Sequence, residues 1–167
     1  MLKKGLSGVV ATIILVLLVL VAVGIVWGAI KGIINEKIDT VNSCFGNFEK
    51  ATINSQYTCY NSSSDEFRFS IDIKDIEVDK LLISISGKNQ TKSFEIPQLG
   101  SSFIRNYNGN YNEDVKLPNK NAGLTYVANI SEIGKPTFIK IAPFIDGSQC
   151  EISDSLSEID DCILLIQ

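Results

Sequence analysis

The sequence predicts an α+β protein in which one long N-terminal α-helix, about residues 6–45, precedes a mainly antiparallel, sandwich-like β head. Three observations carry this expectation. No Asp, Glu, Lys or Arg occurs between Gly5 and Ile30. Apolar residues then recur at helical spacing, at Ile34, Ile38, Val41, Phe45 and Phe48. Beyond Ala51 the period shortens to two, most clearly where Phe67, Phe69, Ile71 and Ile73 alternate with Glu66, Arg68, Ser70, Asp72 and Lys74.

The uncharged run is long enough to cross a bilayer, since at about 1.5 Å per helical residue it exceeds the roughly 30 Å hydrocarbon core. Lys3 and Lys4 precede it and Lys31 follows it, after which the acids begin, so the charge bias leaves the N-terminus on the cytoplasmic side. A cleaved secretory signal would have an apolar region of about 7 to 15 residues and a small-x-small site before a polar start. Here the nearest such site, Ala22 to Gly24, is followed by Ile25, Val26 and Trp27.

Asn35, Glu36, Asp39, Asn42 and Asn47 supply polar faces beside the helical apolar stripe, and Gly46 marks a stop. The reading is one rod from membrane to head, with a separate juxtamembrane helix as its alternative. Gly24, Gly28 and Gly32 share one stripe of that rod, spaced for close backbone approach between membrane helices. The same glycines weaken a helix in water by about 1 kcal/mol each, which makes the stretch a candidate melting point.

In the head, strands are expected at 66–74, 81–85, 92–96, 114–117, 124–130 and 137–145, with a hairpin loop at 87–90 and a loop over 105–112. A turn and short helical piece are expected over 153–158, and a last buried strand over 162–166. The sheet either forms a small sandwich or wraps the rod's amphipathic face.

Charge and composition narrow the function. All 19 acidic residues lie beyond residue 34 with 12 of the 15 basic ones, so the head carries about −7 and nucleic acid is not an expected partner. Histidine is absent, which removes the commonest general base and zinc ligand. No G-x-S-x-G elbow is present, and no catalytic set is expected. Acids cluster at Asp72, Asp75, Glu77 and Asp79 and at Asp154, Glu158, Asp160 and Asp161, but they match no EF-hand spacing and read as a solvated surface. No cofactor or metal is expected. Tyr107 and Tyr111 lie in an Asn/Gly-rich segment that reads as a plain surface loop or a polar aromatic contact loop.

Four cysteines, Cys44, Cys59, Cys150 and Cys162, fall on the side that the charge bias places outside, where disulfides persist. Three pairings are open, and the two short loops, Cys44 with Cys59 and Cys150 with Cys162, are the favoured set. Sequons stand at Asn61, Asn89 and Asn129 in the same region, with Asn61 and Asn89 in loop-like text.

Residues 3–15, KKGLSGVVATIIL, resemble the N-terminal signature of archaeal type IV pilins: a basic pair, Gly, and an apolar Ala-Thr-Ile run. The resemblance covers about the first 30 residues. It implies that a membrane prepilin peptidase cuts the Gly5–Leu6 bond, removing a leader of residues 1–5, and that Leu6 becomes the mature N-terminus. Val10 stands at the fifth mature position, where bacterial relatives carry Glu, as in archaeal members. Gly8 occupies a position where many haloarchaeal members have Pro.

Domains follow as a leader, a 6–48 helix serving as membrane span and filament core, and a 49–167 extracellular head. The expected function is that of a structural subunit of an adhesive extracellular filament, with an assembly ATPase and a membrane platform protein as implied partners. The alternatives are a single-span membrane-anchored binding domain and a minor pilin or pseudopilin outside the filament.

Overall fold

A computed structural model describes the backbone of residues 4–162, and the side chains of residues 8–34 and 44–162. The expected strand 162–166 therefore lies outside the described residues beyond Cys162, as do Met1 to Lys3. The chain divides into two compact units, one up to Val41 and one from Asn42 on. Helix α1 covers Lys4–Cys44, within two residues of the expected ends, and is unbroken at Gly24, Gly28 and Gly32. Its stop has a backbone cause. Gly46 takes a left-handed φ of 79°, which an L-residue rarely adopts.

Ten strands follow: β1 (Ala51–Asn61), β2 (Glu66–Ile73), β3 (Lys80–Gly87), β4 (Thr91–Ile96), β5 (Ile104–Asn106), β6 (Ala122–Asn129), β7 (Pro136–Ile145), β8 (Ser148–Gln149), β9 (Asp154–Leu156) and β10 (Asp160–Asp161). One sheet runs β10-β1-β2-β6-β5, the other β4-β3-β7-β8 with β9 also on β7. Every pairing is antiparallel except β1 with β10. The α+β class holds.

The period-two pattern positions the core. Phe67, Phe69 and Ile71 are 0 % exposed, and they join Leu81, Ile83 and Ile85 of the other sheet in one apolar cluster. Phe67, Phe69 and Tyr126 stack in sequence, with ring centroids 5.5 and 5.4 Å apart. Burying such rings contributes about 1.5–3 kcal/mol each relative to exposure. The Tyr126 hydroxyl donates to the Lys116 carbonyl at 2.7 Å, which satisfies its one buried polar atom.

Four expectations need correction. The segment 153–158 holds strand β9 instead of a helical piece, because Asp154 to Leu156 pair with Ile141 to Ile139. The pairing overrides the local preference of Ser and Asp for turns. The expected strand 114–117 reduces to one bridge between Val115 and Gln98. The expected loop 105–112 begins only after β5, whose Arg105 and Asn106 pair with Val127 and Tyr126. Strand β2 does not turn one face wholly to water, since Ser70 is buried and Arg68 half-buried.

Gly87 closes the β3–β4 turn, its N–H donating to the Gln90 carbonyl at 3.0 Å. A Cβ there would stand 2.6 Å from Ile133 O and 2.8 Å from Gly134 O. Only glycine lets the 130–134 backbone approach so closely.

Candidate functional site

Helix α1 carries the first candidate site. From Gly8 to Ile34 it is long and apolar enough to cross a bilayer, and none of that stretch is buried within the chain. Leu15, Leu18 and Ile25 are 64, 66 and 69 % exposed. Left in water, eighteen large apolar side chains between Val9 and Ile34 would cost of order tens of kcal/mol. Their cover therefore lies outside the helix itself. An N-terminal apolar helix of this kind is compatible with a membrane anchor or a signal sequence.

Within that segment, a Cβ placed on Gly24, Gly28 or Gly32 would meet nothing within 4 Å. The glycines serve no packing inside their own unit. The Gly5–Leu6 bond lies in the first turn of α1, where the first four N–H groups lack helical partners and fraying is easiest. Farther along the apolar stripe, Ile38 and Val41 fall outside the described side chains. Phe45 and Phe48 are 82 and 66 % exposed.

The cysteines pair across the head rather than locally, contrary to the favoured short loops. Cys44 is bonded to Cys150 and Cys59 to Cys162, at sequence separations of 106 and 103. The reason is the length of β1. Ala51 pairs with Ile73 and Cys59 with Arg68, five residues apart on β2, so at about 3.3 Å per residue β1 carries Cys59 roughly 17 Å from its own start, which follows the helix end. Cys59 instead pairs in register with Asp160, two residues before Cys162.

The sequons are all at the surface or half-buried. Asn61 ends β1 and Asn129 ends β6, and each accepts a hydrogen bond from the backbone two residues on, at Ser63 N (3.0 Å) and Ser131 N (3.1 Å). Asn89 sits exposed in the β3–β4 turn. Five of the eight carboxylates in the two acidic clusters are engaged one by one. Asp72 accepts from Asn54, Asp75 pairs with Lys50, Asp79 accepts from Gly147 N, Asp154 from Ile53 N, and Asp161 pairs with Lys135. Among the described residues no group of three or more His, Cys, Asp or Glu is arranged to hold a metal ion.

The outer face of the first sheet holds a second site that the spacing of residues concealed. Register aligns Cys59, Arg68, Val127 and Arg105 in one row across β1, β2, β6 and β5. Tyr107 covers the Arg68 guanidinium at 4.6 Å and Tyr111 covers Arg105 at 5.3 Å. Beneath this roof Val127 is 3 % exposed although it faces away from the core. Glu66 pairs with Arg105 at 3.3 Å and accepts from the Tyr111 hydroxyl at 3.2 Å. Burial, followed by the Glu66 charge, raises the Tyr111 phenol above its ordinary range. The segment 107–111 is thus a built aromatic roof rather than a plain loop.

No protein-family model matches this chain, and no curated protein matches it.

Proposed function

We propose that the chain is a non-catalytic structural subunit of an extracellular archaeal type IV pilus, assembled through α1 and serving surface adhesion. The observation that carries the reading is the junction of Lys3, Lys4 and Gly5 with an apolar helix whose stretch Gly8–Ile34 is long enough to cross a bilayer. A cut at Gly5–Leu6 removes the two lysines and leaves the whole helix on the mature chain. That removal matters because burying an ammonium among packed helices costs several kcal/mol. Lipid covers the helix before assembly, and helices of neighbouring copies replace lipid in the filament. Open space at Gly24, Gly28 and Gly32 supports close backbone approach there. Contacts between heads that repeat without closing then extend the fibre.

Two interlocked disulfides suit a head exposed to an oxidising exterior. The second reading, a single-span anchored extracellular binding domain or a minor pilin, is favoured by the same uncovered helix, for which a bilayer alone is sufficient cover.

Co-expression with an archaeal prepilin peptidase tests the reading. Intact-mass measurement is expected to show loss of residues 1–5, and Gly5→Val to retain them. A chain that keeps Met1 beside an active peptidase would count against it. Where cleavage occurs, recovery of the protein in sheared surface fibres supports the filament subunit, and its confinement to membranes supports the second reading.

A further inference from the structure

Of the head's two arginines, only Arg105 has a carboxylate among the described residues. Glu66 stands two residues before Arg68 on β2 and is committed to Arg105 and Tyr111, while Arg105 also donates to the carbonyls of Tyr107 (2.9 Å) and Gly109 (3.2 Å). The Arg68 side chain makes no ion pair and no hydrogen bond among the described residues, and its buried Nε is without a partner. A half-buried guanidinium held against the Tyr107 ring with no anion beside it is suited to an external anionic group.

The surroundings of Arg68 describe that group. A cleft of about 290 Å³ opens beside it, lined by Gln56, Tyr57, Arg68, Tyr107 and Thr125. Its far wall exists because β1 bulges. The register against β2 slips between Asn54 and Cys59, and the four intervening residues leave the ladder. That irregularity turns Gln56 and Tyr57 outward, and Tyr57 is 60 % exposed. Two tyrosine rings thus flank an unpaired guanidinium, with an amide and a hydroxyl at the margin.

We infer that this cleft binds a single pyranose ring bearing a carboxylate, of the uronate class. The Arg68 fork matches the two oxygens of a carboxylate. Tyr57 and Tyr107 offer flat apolar surface to the C–H face of the ring, and Gln56 and Thr125 offer donors and acceptors to its hydroxyls. The volume lies at the lower edge of small-molecule sites, roughly 300 Å³, which fits one ring and not a chain of them. The head's net charge of about −7 disfavours a polyanion, so one local negative charge is the fit. The site does not depend on filament assembly.

Ligand-observed saturation-transfer NMR on the full chain, in micelles of a detergent without a sugar headgroup, tests the inference. The probes are D-glucuronate, methyl glucoside and acetate. Glucuronate is expected to bind saturably and at least about tenfold more tightly than either of the others. Arg68→Lys, which keeps the charge and loses the fork, is expected to weaken it about tenfold, and Tyr57→Ala, on the exposed bulge, to weaken it as well. No saturable glucuronate signal overturns the proposal. So does glucuronate binding no tighter than acetate, or binding unchanged in Tyr57→Ala.

Discussion

Cys44, the last residue of α1, is bonded to Cys150, which follows β8. The loop it closes overlaps the one closed by Cys59 and Cys162, so each bond constrains most of the head. Peptide mapping without reduction is expected to recover these two pairs and not the short-loop pairs. Replacing Cys44 and Cys150 together by Ser is expected to cost about 2–4 kcal/mol, because loops of this length remove much entropy from the unfolded chain. Near-UV circular dichroism follows the head through its five tyrosines, with the one tryptophan, Trp27, contributing from the helix. A melting curve unchanged in the double variant would contradict the constraint.

Gly87→Ala is expected to destabilise the head by about 1–3 kcal/mol, the cost of forcing atoms into a packed site. The new methyl group meets the Ile133 and Gly134 carbonyls, which are backbone and do not swing aside. Gly147→Ala is the informative contrast. A Cβ there has open space, and strain arises only from its left-handed φ of 73°. Comparison of the two melting shifts separates collision from backbone strain.

Tyr126 sets an alkaline limit. Burial pushes its phenol well above the unfolded value of about 10. Because the folded value is the higher one, this group leaves stability unchanged below about pH 10 and lowers it as pH rises further. Tyr60 and Tyr111, also raised chiefly by burial, act in the same direction. Phenolate absorbance from Tyr126 is expected only together with loss of the near-UV signal. Tyr126→Phe should lower stability at neutral pH by about 0.5–1.5 kcal/mol through the lost bond to Lys116, and make the alkaline decline shallower.

Gly24→Leu with Gly28→Leu is expected to leave membrane insertion intact while reducing recovery of sheared fibres. Leucine is at home in lipid, whereas a leucine on the glycine stripe keeps two backbones apart. Normal fibre yield in the double variant would remove the close-packing role of the stripe.

The helix and most strands were legible because their patterns are local. An uncharged run to Ile30, the helical spacing to Phe45 and the alternation of Phe67 to Ile73 each impose one face on one element, whatever the partner. Strand β9 was not legible, because Ser153 to Glu158 carry turn residues and become a strand only where β7 offers an edge. Nor was the cleft beside Arg68. Its residues come from positions 56, 57, 68, 107 and 125, and only register across three strands and a bulge in β1 brings them together.

By itself, then, the sequence determined an apolar helix long enough to cross a bilayer, and an α+β protein with an acidic, cysteine-containing head. Tertiary structure alone decided that Cys44 meets Cys150 and Cys59 meets Cys162, and that Glu66 serves Arg105 and not Arg68, two residues along the same strand. The physical reason is common to both. Periodicity tells a residue which way to face, but strand length and register determine which distant residue it faces.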